Sequence, residues 1–227
     1  MKLSLEIPYA HLEDLSPFTD FDFALAQLVL NEAPRSGYIE FYRKQSDKGR
    51  EVWLDNGFHE LKRSLPLEAL LEAAARIGAT HIVAPEVRND PIQTRHLILS
   101  CVEYLQKHQL PYKVVGAWQG YKKDLQELLQ ICDVVALPFA RPRAFVVDRY
   151  TSRLYHYFGF RNLDELRRLA PKSLDTSIPI RAAYYGLDLE LLRRRPKTPL
   201  MDFHLKLTKH QLKQCINNIH LLKEAGE

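Results

Sequence analysis

The feature that most constrains this chain is a regular alternation of short apolar runs with segments of helical period. Eight apolar runs follow one another at residues 2–7, 21–30, 52–54, 81–86, 113–118, 133–139, 154–158 and 174–175. Predicted helices fall at 38–45, 66–77, 92–108, 122–131 and 163–169. The clearest, 66–77, opens on Pro66, sets Leu67, Leu70, Leu71 and Ala74 on one face and stops at Gly78. Strands alternating with helices point to a parallel sheet, since a parallel neighbour is reached only through a crossover. Eight strands is the count that closes a (β/α)8 TIM barrel, and 227 residues suffice for a small one. An open doubly wound sheet has the same periodicity, so the pattern gives the α/β class and the strand count gives the barrel. No linker divides the chain. The expectation is one compact domain over residues 1–227, with 200–227 as a C-terminal helical tail.

The composition fits that class: 46% of residues are hydrophobic and 26% are charged, ordinary proportions for a soluble globular protein. Neither a signal peptide nor an apolar run long enough to span a bilayer is present, so no membrane association is expected. Three widely spaced cysteines, Cys101, Cys132 and Cys215, argue against a disulfide framework and suit a reducing cytoplasm. The net charge of +4 is too mild to imply nucleic acid by itself. Its distribution says more: Arg181, Arg193, Arg194, Arg195 and Lys197 make the last third locally basic. A solvated helix end explains the same run equally well.

Polar residues collect where the predicted strands end. Asp55, Glu86, Gln119 and Asp175 all fall at C-terminal strand limits, which a barrel would gather at one mouth. Each alone is a common loop residue. The stretch Ser173-Leu174-Asp175-Thr176-Ser177-Ile178-Pro179-Ile180-Arg181 reads as strand, acidic tip and helix start, with Pro179 suited to a first turn. On spacing alone, Asp175 is more simply a cap or turn residue.

Four of these segments, in order, resemble the tRNA-guanine transglycosylase superfamily, and most of all its phage-type DNA 7-deazaguanine members. Asp55-Asn56-Gly57-Phe58 resembles that family's Asp-Ser-Gly-Gly-Phe turn, one glycine short. Val115-Gly116-Ala117-Trp118-Gln119-Gly120 is similar to Gly-Ile-Val-Gln-Gly. Tyr155-His156-Tyr157-Phe158-Gly159-Phe160 is similar to Tyr-Leu-Met-Gly-Val-Gly, and residues 175–181 parallel Asp-Cys-Val-x-Pro-Thr-Arg. The resemblance runs from about residue 52 to 186.

It implies a nucleophile at Asp175 that attacks C1′ of a nucleotide, and a general acid/base at Asp55. It implies base recognition by Gln119 with Gly120, by Glu86 and by Asn56, stacking by Phe58, and phosphate contacts from Arg181. The basic run Arg193, Arg194, Arg195 and Lys197 would extend the nucleic-acid contact. The expected reaction exchanges guanine in DNA for a 7-deazaguanine such as preQ0, in the cytoplasm (the host's, if the protein is viral). Exchange in tRNA is the alternative, and a non-catalytic nucleic-acid-binding subunit is a further one.

These residue types suit the chemistry. A carboxylate stabilises the cationic sugar and can bond to C1′, while a second carboxyl protonates the leaving purine. Double displacement retains configuration, with the two carboxyls about 5 Å apart by analogy with retaining glycosidases. No cofactor is expected. Zinc-binding members carry Cys-x-Cys-x-x-Cys and a later His, whereas this tail offers Cys215 with His204, His210 and His220 at another spacing. The glycine-rich loop usual after the sixth strand is replaced by Leu137-Pro138-Phe139-Ala140-Arg141, and Arg141-Pro142-Arg143 reads as a basic loop.

Overall fold

A computed structural model describes residues 1–31, 37–120, 122–139, 143–190 and 201–227. The strands are β1 (Lys2–Leu5), β2 (Asp22–Leu25), β3 (Val52–Asp55), β4 (His81–Val83), β5 (Lys113–Ala117), β6 (Val134–Pro138), β7 (His156–Phe158) and β8 (Ser173–Thr176). All eight are parallel, in one sheet of order β1-β8-β7-β6-β5-β4-β3-β2, with helices between successive strands. This is the TIM-barrel-like (β/α)8 class of α/β fold. Chain contacts divide it into two compact units, Asp22–Arg141 on the one hand and Met1–Phe21 with Pro142–Glu227 on the other. No helix among the described residues is long and apolar enough to cross a membrane.

In the unit Asp22–Arg141, β2 to β6 pair in sequence order. Leu25 lies opposite Asp55, Leu54 opposite Ile82, Val83 opposite Val115 and Ala117 opposite Ala136. Leu54, Ile82, Val115 and Val135 are fully buried, as strands covered on both faces require. Helix Leu67–Ile77 buries Leu70, Ala73, Ala74 and Ile77, a stripe at helical spacing. At Gly116 a Cβ would collide with Cys132 Sγ, so β5 and the chain after helix Lys122–Ile131 approach more closely than a side chain would permit.

The apolar run 21–30 differs from expectation: β2 stops at Leu25, and helix Ala26–Asn31 begins at once. No polar residue marks the switch. Tyrosines from helix Tyr38–Asp47 reach β2 instead, with Leu25 N–H donating to Tyr38 Oη (2.9 Å) and Tyr42 Oη donating to the Phe23 carbonyl (3.1 Å).

In the other unit, β8 lies between β1 and β7, with Asp175 opposite Ser4 on one side and Phe158 on the other. Helix Ile178–Tyr184 follows β8 directly, and helix Lys209–Ala225 packs against it and against helix Leu163–Leu169. The expected tail therefore contains one long helix, started by a capping box of Thr208 and Gln211. Its buried Asn218 accepts from Leu189 N–H (3.2 Å) and donates to the carbonyls of Pro179 (3.4 Å) and Leu187 (3.3 Å). The run 154–158 is shortened, because Asp148 caps a helical turn, Arg149–Ser152, and β7 starts only at His156.

Candidate active site

In the unit Asp22–Arg141, the polar groups at the ends of β3, β4 and β5 form one cluster. Asp55 is the last residue of β3. Its Oδ2 accepts Gly57 N–H (2.8 Å) while Asn56 Oδ1 accepts Phe58 N–H (2.9 Å), two consecutive side-chain turns. Gly57 has φ +79°, and a Cβ there would press on Leu61 and Gln27, so the turn demands glycine. The buried Asn56 donates through Nδ2 to the Ala84 carbonyl (2.8 Å) and to Glu86 Oε1 (3.4 Å). Gln119 Nε2 donates to the other oxygen, Glu86 Oε2. Ser64 pins the Glu86 backbone, its Oγ accepting from Glu86 N–H (2.9 Å) and donating to the Glu86 carbonyl (3.1 Å).

Glu86 is therefore half-buried between two amides. Burial pushes its carboxyl up to about 7; the Asn56 hydrogen bond opposes this, the Asp55 charge adds to it and the Gln119 hydrogen bond opposes it again. A carboxyl titrating near neutrality can accept hydrogen bonds in one state and donate in the other. The structure thus brings together Asp55, Asn56, Glu86 and Gln119, four of the residues singled out from sequence. Phe58 begins the short helix after the turn, half-buried, and Gly120 follows Gln119 with φ +124°.

Asp175 belongs to the other unit. Its side chain is 5% exposed, and Oδ1 accepts from His156 Nε2 at 2.9 Å. The other ring nitrogen, Nδ1, lies 2.9 Å from Ser173 Oγ. The register explains the trio, since His156 sits opposite Ser173 and two residues along β8 from it is Asp175. Burial, together with the charge of Arg143, pushes the imidazole down to about 3, so it is neutral at pH 7. A carboxylate only accepts, which assigns the Nε2 proton to the Asp175 bond and leaves Nδ1 to accept from the serine. At the start of the helix that follows, Ile178 N–H donates to Thr176 Oγ1 (3.1 Å).

Arg143, expected in a basic loop, is 1% exposed. Its guanidinium lies 4.0 Å over the Tyr157 ring and donates to the carbonyls of Phe158 and Gly159 (both 2.9 Å), with Glu165 3.6 Å away. Burial lowers it to about 10, against the charges of Glu165 and Asp175. Arg141 lies outside the described residues, as do Arg193, Arg194, Arg195 and Lys197. Arg181 is 8% exposed in helix Ile178–Tyr184, and burial lowers its pKa against the charge of Glu6.

Local sequence reading missed His156, Ser173 and Arg143. The signal for the first two is a pair of polar residues at matched positions of neighbouring strands, visible only once β7 and β8 are aligned. Cys215 is fully buried, and burial pushes its thiol up to about 12. The histidines named with it are placed otherwise: His204 packs edge-on against Tyr9, His220 against Phe18, and His210 is exposed. Among the described residues no group of three or more His, Cys, Asp or Glu is arranged to hold a metal ion. Neither a family model nor a curated protein matches this chain.

Proposed function

We propose that this chain is a transglycosylase that exchanges guanine in DNA for a 7-deazaguanine base. The observation that carries the reading is Glu86 held between the amides of Asn56 and Gln119, beside Asp55. Amides and a carboxyl that titrates near 7 match the mixed donors and acceptors of a guanine edge, and paired recognition rejects analogues far better than apolar fit. In the proposed reaction Asp175 attacks C1′ as the glycosidic bond breaks, and Asp55 gives its proton to the departing guanine. The incoming 7-deazaguanine returns a proton to Asp55, bonds to C1′ and releases Asp175. His156 supports this sequence by holding Asp175 Oδ1 without bringing a positive charge, which leaves the carboxylate nucleophilic.

Incubating DNA and tRNA separately with radiolabelled preQ0 tests the proposal. Label in DNA is expected. Label in tRNA alone would reassign the polymer, and label in neither would end the base-exchange reading.

A further inference from the structure

We infer that the segment from Phe145 to Leu154 is a stacking platform for a single strand of nucleic acid, an inference that rests on the proposed function and locates its polymer-binding surface. Phe145 is 83% exposed and Tyr150 is 86% exposed. Leu154 is exposed too. Large apolar side chains left this open add nothing to the core, and here they are mounted on a firmly held backbone. On one flank the buried Arg143 binds two carbonyls and Tyr157; further on, Val147 is buried and Ser152 Oγ hydrogen-bonds Tyr157 Oη at 2.7 Å. Between them, the capping box of Asp148 and Thr151 fixes the turn Arg149–Ser152.

The spacing sets what this surface offers. Tyr150 lies in the helical turn Arg149–Ser152, Arg153 caps its end, and Leu154 follows in a turn closed by its N–H on the Thr151 carbonyl (3.0 Å). Phe145 lies five residues before Tyr150, a span of at most ~17 Å even if fully extended. Arg153 has no side-chain hydrogen bond or ion pair among the described residues, so its guanidinium is available. Arg149 adds a second cation, with its nitrogens on the carbonyls of Arg167 (2.5 Å) and Glu227 (3.2 Å). Asp148 turns its carboxylate onto Tyr150 N–H, Thr151 N–H and Thr151 Oγ1.

Aromatic rings that project singly beside a cation suit unpaired bases and phosphates, whereas a protein partner is met by a contiguous apolar face. Exchange of a base also requires it to leave the stack, and contacts that hold a strand unpaired offset the few kcal/mol of unstacking.

The test is fluorescence anisotropy of the full chain with a short labelled single-stranded DNA over a salt series. Phe145→Ala and Tyr150→Ala are each expected to weaken binding about tenfold, with the salt slope little changed. Arg153→Gln is expected to reduce the slope by about 0.7. These positions are exposed, so circular dichroism should be unaltered. The inference is overturned if wild-type protein does not bind the strand, or if all three variants bind as wild type does. It is overturned equally if sedimentation shows a dimer that Phe145→Ala dissociates while strand binding is unchanged, which would make the surface a contact between copies. Parallel base-exchange assays separate the two readings. Normal exchange with indifferent variants removes only the platform; weakened binding in a protein that never exchanges a base keeps the platform and removes the reaction.

Discussion

Glu86 follows the end of β4 by three residues and Asp175 is the last residue but one of β8, yet their surroundings differ in kind. Glu86 is held by two neutral amides and by a serine on its own backbone, and burial raises its pKa to about 7. Asp175 is more deeply buried and is held by an imidazole that burial keeps neutral. The first arrangement favours a proton that comes and goes near pH 7. The second keeps a carboxylate oriented while its partner stays uncharged. Divergent settings suit the two separate tasks proposed for them, Glu86 reading a base edge and Asp175 bonding to C1′.

The sharpest way to break this comparison is to remove the groups expected to react. Asp175→Asn should lower base exchange by at least about 10³-fold and abolish any trapped protein–DNA adduct, as loss of a nucleophile does. Wild-type exchange in that variant would reassign the nucleophile. Asp55→Asn should slow exchange by about 10²–10⁴-fold and leave DNA affinity near normal. If affinity falls as far as rate, Asp55 binds rather than transfers protons.

Smaller effects come from changing pH, and they carry opposite signs in the two places. Glu86 has its folded pKa raised from 4.5 to about 7, so its contribution to stability is fully present below pH 4.5 and lost as pH rises through 7. Glu86→Gln should remove that loss, gaining about 1–3 kcal/mol relative to wild type at pH 8.5 but not at pH 4.5. Urea titrations at the two pH values read the difference. His156 has its folded pKa lowered from 6.5 to about 3, so its contribution is present above 6.5 and lost as pH falls towards 3. His156→Asn should flatten that acid limb, and a limb left unchanged would show that the imidazole is not buried neutral. Smallest of all, Lys223→Gln removes a half-exposed ion pair with Asp20 (3.3 Å) and should cost less than about 1 kcal/mol in the same titrations.

Much of the fold is legible because its signals are local. Proline, periodicity and glycine place helix 66–77 within a residue of Leu67–Ile77, and the strand at 113–118 within a residue of β5. The break between Leu25 and Ala26 was not legible, because the tyrosines that bind β2 come from a later helix. The same division holds in the site. Asp55, Glu86 and Gln119 announce themselves at strand ends, and the structure gathers them with Asn56. Arg143 resembles an exposed loop cation in sequence, and only Tyr157, Glu165 and two distant carbonyls make it a buried one. His156 reads as one more residue of an apolar strand until β8 is laid beside it.

One side chain in the last helix has a practical consequence. Asn218 joins helix Ile178–Tyr184 to the stretch at Leu187 and Leu189 from the far side of a long connection. A chain severed anywhere between residues 190 and 208 should therefore remain one particle on a sizing column, its fragments parting only in denaturant. The backbone after the candidate nucleophile would keep its brace even when no peptide bond links the two.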